Sequence, residues 1–120
     1  MGVENNEIVI ATTWNIEVAN DLWKKISTFD PEFQKLFVRV PTIINSKMTI
    51  IMAPDGSKKG WDTAERGNQI RNQFIQEIKK FDYDDGSSPF DWIEVGYGEF
   101  GQKVLRGNCK NCYNDKDYAE

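Results

Sequence analysis

Histidine does not occur anywhere in the 120 residues. Its absence removes the Ser-His and Cys-His nucleophile pairs, the imidazole general bases, and zinc sites built from histidine or from mixed Cys/His sets. Long apolar runs are also missing. The longest, such as "MTIIMA" at 48–53, fall far short of the roughly 20 residues a membrane span needs. Residues 1–20 lack a basic start followed by an apolar block, so no leader is expected and a cytoplasmic location is. Cysteine is scarce, with only Cys109 and Cys112 in "CKNC". That spacing occurs in zinc knuckles and thioredoxin-like redox motifs. A zinc site needs about four ligands, which here requires two copies of the chain. A redox pair belongs at a helix N-terminus, whereas this one lies in a polar tail. Inert thiols, a disulfide and an intermolecular metal site remain the three readings.

Basic residues are missing from one long stretch. Positions 82–99 carry Asp82, Asp84, Asp85, Asp91, Glu94 and Glu99 without a single Lys or Arg. The net charge of −4 arises in this half of the chain: residues 1–60 hold seven basic and seven acidic residues, and 61–120 hold eight and twelve. Phosphate backbones demand clustered Lys and Arg, so no direct nucleic-acid binding is expected and a protein with a basic surface is the expected partner. The six acids do not form an EF-hand. Counting from Asp82, glycine falls at position 5 instead of 6, and Glu94 lies one place beyond position 12.

What is present is enough for a folded domain. The chain is 39% hydrophobic and 28% charged, with four Trp and seven Phe, and its length suits one core. Alternation over residues 8–18 predicts a first strand. Leu22, Trp23, Ile26 and Phe29 have helical spacing behind Asn20 or Asp21 as cap, and "DP" at 30–31 restarts a helical turn. Residues 37–44 and 46–53, joined at Asn45 and Ser46, predict a hairpin, with Pro41 marking an edge or bulge and the second strand apolar on both faces. Residues 62–81 form the strongest helical pattern, with Asp62 and Glu65 as a capping box and Gly67, Ile70, Phe74, Ile78 and Phe81 as its inner stripe. Residues 91–97 and 102–106 predict a last hairpin, with Ile93, Val95 and Tyr97 inward and Trp92 and Glu94 on the solvated side.

The expected fold is therefore α+β: an antiparallel sheet of about five strands with two helices packed on one face. Its order is ferredoxin-like, β-α-β-β-α-β, plus an extra edge strand. Residues 1–107 are expected as a single domain and 108–120 as a polar C-terminal tail. The fold class does not assign an activity.

The functional expectation is a small acidic non-enzymatic binding protein of the inhibitor or immunity type. The phage-encoded kind, which blocks a host nucleic-acid enzyme by offering its basic groove a negative face, fits the size and charge. Asp82, Asp84, Asp85, Asp91, Trp92, Glu94 and Glu99 are the expected partner-binding residues. Trp92 reads either as a rigid aromatic anchor among these acids or as a side chain covered by the edge strand, a helix or the tail. An alternative is a small-ligand or nucleotide-binding protein using Lys58, Lys59 and Trp61 in "DGSKKGWD", although the phosphate-loop spacing is absent and Asp62 as cap would occupy the helix amides. A second alternative is a small hydrolase working without histidine, through paired carboxylates in a cleft. No cofactor, no metal and no catalytic residue is expected.

Overall fold

A computed structural model of the chain describes residues 5–58, 60–99 and 101–109, with Asn5 described by its backbone alone. Five antiparallel strands form one sheet in the order β2-β3-β1-β4-β5. The strands are β1 (Asn5–Thr13), β2 (Phe37–Pro41), β3 (Met48–Met52), β4 (Phe90–Gly98) and β5 (Gly101–Gly107). The helices among the described residues are α1 (Ile16–Ile26), α2 (Pro31–Gln34) and α3 (Asp62–Lys79), so the expected two helices become three, the extra one being a single turn.

Local chemistry sets most of the boundaries. The first strand stops at Thr13, earlier than alternation predicts, because Asn15 caps α1: its side-chain oxygen accepts the Val18 amide at 3.2 Å. Glu17 in the first turn and Lys24 and Lys25 in the last suit the helix dipole. Asp30 caps α2 through the Glu32 amide, with Pro31 in the first position. The β2–β3 turn is made by Asn45 and Ser46, both at positive φ (69° and 51°), the left-handed pair that fits a twisted hairpin. The start of α3 departs from expectation. Asp62 is its first residue and not its cap; Trp61 occupies the cap position and makes no side-chain cap bond, so the Asp62–Glu65 capping box does not form.

One face of the sheet carries the core. Leu22 and Ile26 of α1 and Ile70, Phe74, Ile75 and Ile78 of α3 pack in one cluster with Val9, Ala11, Phe37, Ile50, Met52, Phe90 and Trp92. Phe37 meets Phe29 and Phe74 edge-to-face, at centroid separations of 5.7 and 5.1 Å. The opposite face is built as regularly but has no helix in that cluster. Strand register puts Val38, Ile51, Ile10 and Ile93 in a row across four strands, and Ile8, Val95 and Val104 in the next. A further row joins Val40, Thr49, Thr12 and Asp91, with the two threonine hydroxyls 2.9 Å apart, and a last one Asn6, Tyr97 and Gln102.

Candidate functional site

The acidic run divides at Pro89, which is fully buried. Before it, residues 82–87 form a tight exposed turn. The Tyr83 amide donates to the Ser87 carbonyl at 2.7 Å, and the Gly86 amide, at φ 89°, donates to the Tyr83 carbonyl at 2.9 Å. Asp85 locks the turn by accepting both the Ser87 amide (2.9 Å) and the Ser87 hydroxyl (2.6 Å). These bonds, the hydroxyl first, hold the Asp85 carboxyl below the usual carboxylate range. Asp82, Asp84 and Asp85 are all exposed, as are Asp91 and Glu99 further on. Five of the six acids therefore stand in solvent.

The sixth does not, and neither does the tryptophan. Trp92 is 6% exposed and Glu94 is 3% exposed. Phe90, Trp92 and Glu94 point under α3, whereas Ile93, Val95 and Tyr97 lie on the open face, the reverse of the expected sides. Packing chose the side. Trp92 pairs in register with Ala11, whose small side chain leaves room for the indole, and Phe90 stacks edge-to-face on Phe81 at 5.6 Å. Asn108 then clamps the strand: its side-chain oxygen accepts the Trp92 amide at 2.9 Å and its side-chain nitrogen donates to the Phe90 carbonyl at 2.7 Å. Trp92 and Glu94 are thus part of the interior rather than exposed members of an acidic surface.

Glu94 is tolerated inside because arginines meet it. Arg106 Nε donates to Glu94 Oε1 at 2.6 Å across the β4–β5 pair. Arg71, only 4% exposed on the inner stripe of α3, has its Nε 3.8 Å from Glu94 and 3.0 Å from Glu7, and its Nη1 donates to Asp55 at 3.3 Å. The Glu7 contact is ionic, without the geometry of a hydrogen bond. Burial pushes the Asp55 carboxyl up, but hydrogen bonds from the Ser57 hydroxyl and amide, with the Arg71 charge, outweigh burial and hold it below the usual range. Gly67 makes the arrangement possible, since a Cβ there would stand 1.8 Å from Asp55 Oδ2. An arginine cannot serve as a base at ordinary pH, and the carboxylates around it act as counter-charges, so this cluster is built to hold β1, β3's exit, α3 and β4 together.

The loop of the nucleotide alternative is only partly described. Lys58 is half-buried, and its carbonyl accepts the Trp61 amide at 3.1 Å; Trp61 is 52% exposed; Lys59 lies outside the described residues. Asp62 does not occupy the first amides of α3, but Asp62 and Glu65 in that turn oppose an anion electrostatically. A hollow of about 70 Å³ lined by Trp23, Ile26, Ser27, Gln34 and Phe37 contains no titratable group and is small beside the ~300 Å³ or more of a ligand site. Among the described residues no group of three or more Cys, Asp or Glu side chains could hold a metal ion, and no helix is long and apolar enough to cross a membrane. Cys109 is exposed, and Cys112 lies outside the described residues.

Sequence reasoning missed Arg71, Glu7, Asp55 and Arg106 as a unit. The available signal was Arg71 itself, which falls one turn after Gly67 and just before Phe74 on the stripe assigned to the core, where a cation requires buried acids. The chain matches no family model and no curated protein.

Proposed function

We propose that the chain is a non-enzymatic binding protein that offers its exposed acids to a partner with a basic surface. The observation that carries this reading is the turn at 82–87, where three carboxylates stand in solvent on a backbone already fixed by the Asp85–Ser87 and Tyr83–Ser87 bonds. A rigid acidic turn adds little ordering cost on binding and steers a cationic partner from a distance. Asp91 and Glu99 add negative charge on the same strand and at its end. Trp92 and Glu94, expected as contacts, act within this reading as supports for β4. An inhibitor or immunity-type role, against an enzyme with a basic groove, is the form of binding this charge favours. We read the sheet order as a ferredoxin-like arrangement with β5 added beside β4, a frame that leaves the turn at one end of the sheet.

Affinity capture with the full chain as bait, in parallel with an Asp82→Lys/Asp84→Lys bait that keeps the Asp85–Ser87 bonds, tests the proposal. A basic protein retained by the first, released by added salt and missing from the second supports it. Identical captures by both baits remove it.

A further inference from the structure

We propose that Ile43 and Ile44, at the tip of the β2–β3 hairpin, are the apolar anchor of the contact that the acidic turn directs, entering a concave apolar pocket bordered by Lys or Arg on a partner protein. The inference rests on the acidic-turn reading and adds where the partner closes on the chain and what it presents there.

The hairpin tip is fixed, and its apolar side chains have no part in fixing it. The Thr42 amide donates to the Lys47 carbonyl at 2.9 Å; the Thr42 hydroxyl donates to the Ile44 carbonyl at 2.7 Å and accepts the Lys47 amide at 3.0 Å. Asn45 and Ser46 supply the left-handed backbone. A turn closed in this way draws nothing from the side chains at 43 and 44. Yet both are isoleucine, Ile43 fully exposed and Ile44 71% exposed, and neither belongs to the core cluster. Only another molecule can take their apolar area out of water.

Strand register puts this tip and the acidic turn at the same end of the sheet. Thr13, the last residue of β1, pairs with Met48, where the hairpin re-enters the sheet, and with Phe90, where the chain arrives from the turn. From the β2 edge inward, that end carries Ile43 and Ile44, then Trp14 just after β1, 59% exposed, then the exposed Tyr83 among Asp82, Asp84 and Asp85. Aliphatic and aromatic anchors with charge on one border have the composition of an interface core and its rim.

Shape and charge select the occupant. A convex tip does not complement itself across a two-fold axis, so a second copy buries little against it. A lipid surface presents phosphates, which the exposed Asp82, Asp84, Asp85 and Asp91 repel. These acids outnumber the cations at this end, Lys47, Lys79 and Lys80, of which Lys80 is already paired with Glu77 at 2.9 Å. A protein whose pocket takes the two isoleucines while basic residues on its border meet the turn satisfies both requirements.

The basic protein recovered by affinity capture, purified and titrated against the full chain at several salt concentrations, tests the proposal. Ile43→Ser/Ile44→Ser should unfold at the parent's midpoint and weaken the complex by about tenfold or more, mainly through faster dissociation, with the salt dependence of affinity unchanged. Asp82→Lys/Asp84→Lys should flatten that salt dependence. Ile43→Ser alone, at the fully exposed position, should keep the fold and show part of the loss. Equal affinity for the parent and the isoleucine variants, with the acid variant weakened, overturns the anchor and leaves the acidic turn standing. A capture without a basic protein, or one indifferent to Asp82→Lys/Asp84→Lys, removes the acidic-turn reading and the anchor with it. Sedimentation and co-sedimentation with phosphatidylcholine vesicles, with and without phosphatidylserine, check the other occupants. Self-association or vesicle binding that is lost in Ile43→Ser/Ile44→Ser overturns the proposal in favour of a second copy or a lipid surface.

Discussion

The two sides of Pro89 carry the same kind of sequence and meet opposite environments. In the turn before it, Asp82, Asp84 and Asp85 face water and satisfy themselves locally through serine and backbone amides. In the strand after it, Glu94 is 3% exposed and depends on Arg71 and Arg106, which lie 23 residues before it and 12 after it in the chain. A run of acids without basic neighbours in sequence can therefore still contain a paired, buried carboxylate. Local charge density shows where the field originates, and tertiary partners decide which members of the run contribute to it.

The sharpest way to break this contrast is at Arg71. Replacing it by Met leaves Glu7, Asp55 and Glu94 gathered without their central cation, and chemical denaturation should show a loss of about 3–5 kcal/mol. A loss near zero would mean that the cluster relaxes into solvent and does not tie the elements together. Gly67→Ala acts one step removed. Its Cβ displaces the Asp55 carboxylate, which costs about 1–3 kcal/mol, against about 1 kcal/mol gained in helix propensity, so the same assay should show a small net destabilisation.

Asp55 also has a pH signature. Its folded carboxyl titrates below the unfolded value of about 3.9, so the folded state binds fewer protons there. Its stabilising contribution is complete well above that value and is lost as pH falls through it toward the lower folded pKa. Asp55→Asn should be less stable than the parent near neutrality, and the gap between them should close on acidification. A gap that widened toward acid would reverse the sign and remove the pairing argument.

The α+β class, the five antiparallel strands, the hairpin at Asn45 and Ser46 and the stripe of α3 were legible because each rests on local periodicity or turn chemistry. The sides of β4 were not. Both faces of this sheet are apolar, so alternation in "FDWIEVGY" separates two sets of residues without saying which set the helices cover. The choice was made by Ala11 opposite Trp92 and by Arg71 above Glu94, contacts between distant parts of the chain. The end of β1 was obscured for a different reason: Trp14, Ile16 and Val18 continue the alternation, and only the Asn15 cap stops it. Of the candidate site, the exposed acids were legible from charge alone, while the burial of one among them was not.

The most direct measurement compares binding and stability in two variants of that run, using the partner recovered by affinity capture. Asp82→Lys/Asp84→Lys, which spares the Asp85–Ser87 bonds, should keep the parent's unfolding free energy within about 0.5 kcal/mol while weakening the complex and flattening its salt dependence. Glu94→Gln should lower stability while the folded fraction binds as the parent does. The opposite pattern, with Glu94→Gln weakening binding in a stable protein and the double reversal leaving the complex intact, would contradict the division at Pro89 and the function built on it.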